Sequence, residues 1–208
     1  MMRTSSLAAL ALLAGCAGSS HAPKLGRVEA TKPWGTVATD DDRARLRRWH
    51  EAWDTAVPRV KTAGEGAALD AEGALFQPDT ALRDPLPPVG AYRCRVFKLG
   101  AVGVGVHQFT TYAARPCTIS TQNNATHVRI DGEAQRPEGT LYADTPSRGV
   151  FIGTMMFADE GKALDYGIDV KRNMIGYIEH IGARRWRLVL PWPHYESQLD
   201  VIEMVPAD

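Results

Sequence analysis

From Ala91 onward the chain is a succession of short runs rich in Val, Ile, Tyr, Phe and Thr, separated by turn residues at intervals of about ten. No other feature restricts the fold as much. The runs predict strands at 91–99, 105–113, 116–121, 126–132, 139–143, 148–157, 173–182, 185–190 and 199–205. Trp186, Leu188 and Leu190 alternate with Arg185 and Arg187, the pattern of a half-buried strand. Val150-Phe151-Ile152 and Met155-Met156-Phe157 are apolar at consecutive positions, so that strand is expected to be covered on both faces. The fold class that follows is mainly β with an N-terminal α-helix: an antiparallel β-barrel-like or curled sheet of about nine strands. A two-sheet sandwich is the alternative.

Before the strands, Thr39-Asp40-Asp41-Asp42 is a strong helix start, a capping side chain followed by carboxylates at the positive end of the helix dipole. Leu46, Trp49, Trp53, Val57 and Val60 recur at steps of three and four and form one apolar stripe. Trp49 and Trp53 are expected to cover the sheet, with the strand from Val150 to Phe157 as their partner. Asp41 with Arg45 and Arg47 with Glu51 stand at pairing distance. Pro58 predicts a kink or restart, and Gly64 is a natural stop. Residues 65–90 predict a short helical piece and an extended crossing segment. The helical part, 39–82, and the β part, 91–206, together make a single domain over 34–206.

The N-terminus reads as an export signal. Arg3 supplies a positive start, and the Leu/Ala run from Leu7 to Ala14 is too short to span a bilayer. It ends in Leu13-Ala14-Gly15-Cys16, which resembles the lipobox of bacterial lipoproteins. The resemblance implies a signal peptide over 1–15, lipid attachment at Cys16 and a polar, lipidated tether over 16–33. The expected location is the periplasm-facing surface of a Gram-negative membrane.

In an exported chain, the remaining Cys94 and Cys117 most simply form one disulfide. A Cys/His metal site is the alternative, but neither a CxxC nor an HxH spacing occurs.

Composition narrows the partners. Apolar residues make up 44% of the 208 residues, enough for a packed core, which excludes wholesale disorder. Lys plus Arg and Asp plus Glu are 24 each, so no net field favours nucleic acid.

A wider resemblance rests on Trp34, Val37-Ala38-Thr39, Leu46, Trp49 and Trp53, then Tyr92-Arg93-Cys94-Arg95-Val96 and Lys98-Leu99-Gly100. It continues through Arg136-Pro137, Gly139 and Leu141-Tyr142 to Arg184–Pro191 and Leu199-Asp200-Val201-Ile202. Together these residues resemble a family of small alphaproteobacterial envelope proteins defined as a domain of unknown function. The resemblance spans about residues 34 to 206 and implies no activity, ligand or catalytic residue.

Catalytic motifs are absent from the sequence: there is no GxSxG, HExxH, P-loop or EF-hand pattern. His21, His50, His107, His127, His180 and His194 show no metal-ligand spacing. No metal, cofactor or catalytic residue is assigned. Asp159, Glu160, Asp165 and Asp169 fit no calcium loop and read as a solvated connection. Arg93, Arg95, Arg136, Arg184, Arg185 and Arg187 are expected to pair with Glu179, Glu196, Asp200 and Glu203. The candidate binding loop is Trp192, His194, Tyr195 and Glu196, between two strands at a barrel end. The expected function is a non-enzymatic binding or interaction module, with a small apolar ligand in the barrel mouth or an envelope protein on its rim. The alternatives are a hydrolase using a His/carboxylate pair near residues 194–200 and a structural scaffold in envelope assembly.

Overall fold

The computed structural model describes residues 33–103, 106–132, 134–158 and 160–207. The predicted signal segment 1–15, Cys16 and the tether up to residue 32 lie outside the described residues. Nine strands follow one another: β1 Gly90–Leu99, β2 Phe109–Thr111, β3 Arg115–Gln122, β4 Ala125–Ile130, β5 Gln135–Ala143, β6 Gly149–Phe157, β7 Asn173–Gly182, β8 Arg185–Pro191 and β9 Leu199–Pro206. From β3 to β9 each strand pairs antiparallel with the next, and β1 pairs with both β3 and β9. The β1–β9 seam runs from Tyr92 opposite Pro206 to Leu99 opposite Leu199. The sheet is therefore a closed eight-stranded barrel, and β2 is a short ninth strand added beside β1. Closure removes both free edges and rules out the sandwich.

The strand bounds differ from expectation by more than two residues in two strands. The run predicted at 105–113 is ordered as a strand only over Phe109–Thr111. The run predicted to begin at 139 begins at Gln135. β4 pairs with β5 only from Glu138 onward, so Pro137 lies where β5 has a partner on one side alone, a position that tolerates proline.

Helices wrap one side of the barrel: α1 Trp34–Val37, α2 Asp40–Arg47, α3 Trp49–Thr62, α4 Gly66–Asp70 and a 3₁₀ turn at Gly73–Phe76. Thr39 caps α2 by accepting from the amide of Asp42 at 3.2 Å. The predicted helix over 40–63 breaks at Arg48 rather than at Pro58. Pro58 is exposed inside α3, where water can serve the carbonyl that loses its donor. At Arg48 the carbonyl accepts from the Trp192 indole at 3.2 Å as well as from the Ala52 amide at 3.2 Å. The break lets the two helices follow a curved wall. Leu46 packs on Val150, Ile152 and Ile175 of β6 and β7. Trp49, Trp53 and Val60 pack instead on Phe97, Leu99, Val189, Leu199 and Val201 of β1, β8 and β9. The strand from Val150 is thus covered by α2, and the tryptophan face lies over the barrel seam. The helix ion pairs also move by one residue, to Asp42–Arg45 and Arg48–Glu51, three apart rather than four.

The segment after α4 is fastened by a buried charge. Arg187 and Glu179 are both fully buried, with Nε 2.7 Å from Oε2. Arg187 also donates to the carbonyls of Ala74, Leu75 and Gln77 at 2.8–3.0 Å. Arg95 and Arg185 both bind Glu203, as expected of cross-strand partners. Glu196 and Asp200 depart from that expectation and serve a lysine inside the barrel.

Candidate functional site

Alternation along each strand sends one set of side chains inward. Tyr92, Ile119, Val128, Leu141, Phe151, Ile178, Trp186, Leu188 and Met204 fill the half of the lumen where β1 begins. Phe151 finds room there because glycines face it. A Cβ on Gly153 would lie 2.6 Å from the Phe151 ring and 2.2 Å from the Glu138 carbonyl, and one on Gly139 would lie 2.8 Å from the same ring.

The other half is hollow. A cavity of about 420 Å³ is walled by Cys94, Val96, Ile130, Pro137, Met155 and Ile202. Its size falls in the range of small-molecule sites, about 300–1,000 Å³. The loops after β1, β4, β6 and β8 all lie at this end, as the antiparallel order requires. Thr111, Tyr112, Ala113, Arg115, Asp131 and Gly132 line the outer part of the cavity. The wall beside them is interrupted: β3 pairs with β1 only up to Cys94, and β2 only from Phe97. Cys94 and Cys117 are bonded across this β1–β3 pair, with Cα atoms 5.9 Å apart, as the sequence predicted. Tyr92, not Cys94, lies directly opposite Cys117, so the disulfide is a diagonal staple.

Polar groups converge at the end of the cavity where β1 finishes. Lys98 Nζ lies 2.9 Å from Gln135 Oε1, 3.3 Å from Glu196 Oε2 and 3.4 Å from Asp200 Oδ2. Ser197, itself buried, donates its hydroxyl to the other oxygen of Asp200. Burial pushes the Asp200 carboxyl above the usual carboxylate range, with Lys98 and Ser197 pulling the other way. Burial alone would lower Lys98, but Asp200 and Glu196 outweigh it and leave the ammonium more basic than usual. The lysine is therefore a stable cation, unsuited to act as a nucleophile at neutral pH.

The β8–β9 loop supplies half of this cluster. Its backbone turns through left-handed conformations at Trp192 (φ 47°) and Glu196 (φ 67°), uncommon for side-chain-bearing residues. The Glu196 carbonyl accepts from Val102 at 3.0 Å, which holds the loop to the one following β1. Of the four residues predicted to form a binding loop, Glu196 lines the cavity. Trp192 turns outward, with the Arg48 guanidinium 4.9 Å over its ring. Tyr195 packs edge-on against Phe157 at 5.6 Å. The crevice beneath His194 and Tyr195 has room for about 10 Å³, too little for a ligand. Burial, then Arg45, lowers the pKa of His194. Among the described residues no carboxylate lies within 4.0 Å of its ring nitrogens, so the pair a hydrolase would need is not assembled there.

Lys98 was absent from the sequence-derived set. The signal was nevertheless present: Tyr92, Cys94, Val96 and Lys98 share one parity on β1, which places a lysine on the same face as the core. Glu160 and Asp169, in the acidic stretch, both pair with Arg172. No cluster able to hold a metal ion occurs among the described residues. Among them too, no helix is long and apolar enough to cross a membrane.

Fold and site together define a small antiparallel β-barrel, packed at one end and hollow at the other, with a buried ion cluster in the hollow. The chain belongs to the family described as Domain of unknown function (DUF4893), whose profile matches residues 34–204. Neither the curated proteins nor the solved structures contain a match to the chain.

Proposed function

We propose that this protein is a lipid-anchored binding protein of the Gram-negative envelope that holds a small, largely apolar molecule in its barrel lumen. The cavity of about 420 Å³ carries the reading, because a barrel built only as a scaffold has no need to leave half its core empty. The Leu13-Ala14-Gly15-Cys16 sequence supports the anchor. The test is direct titration of the mature domain with an environment-sensitive apolar dye. Saturable binding that is lost in Val96→Trp, a variant that fills the cavity, supports the reading; no binding to the wild type overturns it. For the anchor, Cys16→Ser should release the protein from membranes or leave it unprocessed, and unchanged attachment with normal processing defeats that part.

A protein partner on the rim is the second reading. It is favoured by Val102, Ile168 and Val170, which are exposed on loops at the same end as the cavity. If that reading holds, serine at these three positions weakens partner binding and leaves dye binding unchanged.

A further inference from the structure

The chemistry of the hollow end narrows the ligand beyond the lumen-binding reading on which this step rests. We infer that the lumen takes an amphiphile whose head donates hydrogen bonds and carries no negative charge, a primary amine above all. Lys98 donates to Gln135 and Asp200 and pairs with Glu196 Oε2 at 3.3 Å, so three acceptors already crowd one ammonium. Two carboxylates therefore already surround one cation. A carboxylate head would become a third acid beside the same lysine, or would have to strip Glu196 from it.

A donor head meets the opposite situation. The Glu196 side chain, which lines the cavity, is 56% exposed overall while the Lys98 side chain is 11% exposed, so the accessible charge is the acid. Farther out, Asp131 and Arg115 line the rim with opposite signs. Asp131 lies 3.4 Å from Arg129 as well. Among the described lining residues the acids are Asp131, Glu196 and Asp200 and the bases Lys98 and Arg115, an excess of one negative charge. Between the apolar walls that excess acts more strongly than it would on an open surface. The tail has Val96, Ile130, Pro137, Met155 and Ile202 to lie against.

The test is displacement of the bound dye by three probes of equal chain length: decylamine, decanol and decanoate, each below its micelle concentration at neutral pH. The expected order is amine, then alcohol, then carboxylate, with the amine at least about tenfold tighter than the carboxylate, equivalent to about 1.4 kcal/mol. Glu196→Gln should cut that preference, read as the ratio of decylamine to decanoate affinity within the same variant, to under about threefold. Decanoate binding as tightly as decylamine, or a preference untouched by Glu196→Gln, overturns the inference and leaves lumen binding standing. Failure of the wild type to bind the dye at all removes the underlying reading instead, so the two failures are told apart.

Discussion

Toward the end where β1 begins, the lumen is solid; toward the end where β1 finishes, it is hollow. The same strands build both halves. At the first end two inward positions, Gly139 of β5 and Gly153 of β6, are glycine, and the Phe151 ring occupies the space they leave, packed with Tyr92, Trp186 and Met204. At the other end the inward positions carry Lys98, Gln135 and Asp200, held by mutual hydrogen bonds rather than by dispersion. The contrast separates two uses of one architecture. Close packing fixes the barrel's radius where nothing need enter. Where space is kept, charged groups that satisfy one another keep the walls apart without leaving a polar atom unpaired.

The comparison can be broken from either end. The largest effect is expected at Gly153, where a side chain would collide with backbone of the neighbouring strand. Gly153→Val should leave no cooperative thermal transition, a loss beyond about 4–5 kcal/mol. Lys98→Met strands a buried carboxylate and should cost about 3–5 kcal/mol by urea denaturation. Adding Asp200→Leu removes the stranded group, so the double variant should regain most of that loss. If the double variant is as unstable as the single one, the ion cluster is not what shapes the hollow end.

Paired truncations compare the two packings directly. Phe151→Ala should cost about 3–5 kcal/mol, the range for an aromatic removed from a filled core. Val96→Ala, on the cavity wall, should cost about 1 kcal/mol, because its far side already faces open space. Equal costs would mean that the hollow is closed in solution. Replacing both Cys94 and Cys117 by alanine should cost about 2–4 kcal/mol and loosen the wall beside the cavity, seen as weakened dye binding. The smallest effect concerns His194, whose folded pKa lies below its ordinary value of 6.5. A depressed folded pKa gives stability that is complete above about 6.5 and is lost as pH falls through the folded value. His194→Gln should therefore flatten the decline in stability between pH 7 and pH 5, while the slope above pH 7 stays unchanged.

Much of this architecture was legible in the sequence because β periodicity is a local signal. Each strand announces itself within a few residues, and Trp186-Arg187-Leu188 alternates whatever lies around it. The disulfide was legible for the same reason, since both cysteines sit in recognisable neighbouring runs. What stayed hidden depends on distant pairings. The tryptophan stripe was clear, but its partner strands were not, because the β1–β9 seam joins residues about a hundred positions apart. The same seam brings Lys98 opposite Asp200. The β8–β9 loop drew attention by its aromatic and imidazole groups, yet Glu196 is the residue that reaches the cavity, and only the strained turn explains why.

That seam also governs when the molecule can become itself. β1 and β9 are the first and last strands of the barrel, so the ring cannot shut until the chain has been completed through Pro206. Until then β1 and β8 both offer open edges, and the Cys94–Cys117 bond, joining two neighbours, does nothing to bring the ends together. The landing site for Trp53 is likewise unfinished, because Leu199 and Val201 belong to the strand that arrives last. Helices that precede the barrel must wait for its last strand, and so many long-range contacts made at one moment point to slow, all-or-none folding. A chain stopped short of β9 has eight of the nine strands and lacks the closed barrel, which makes its exposed strand edges a mark by which quality control can recognise it.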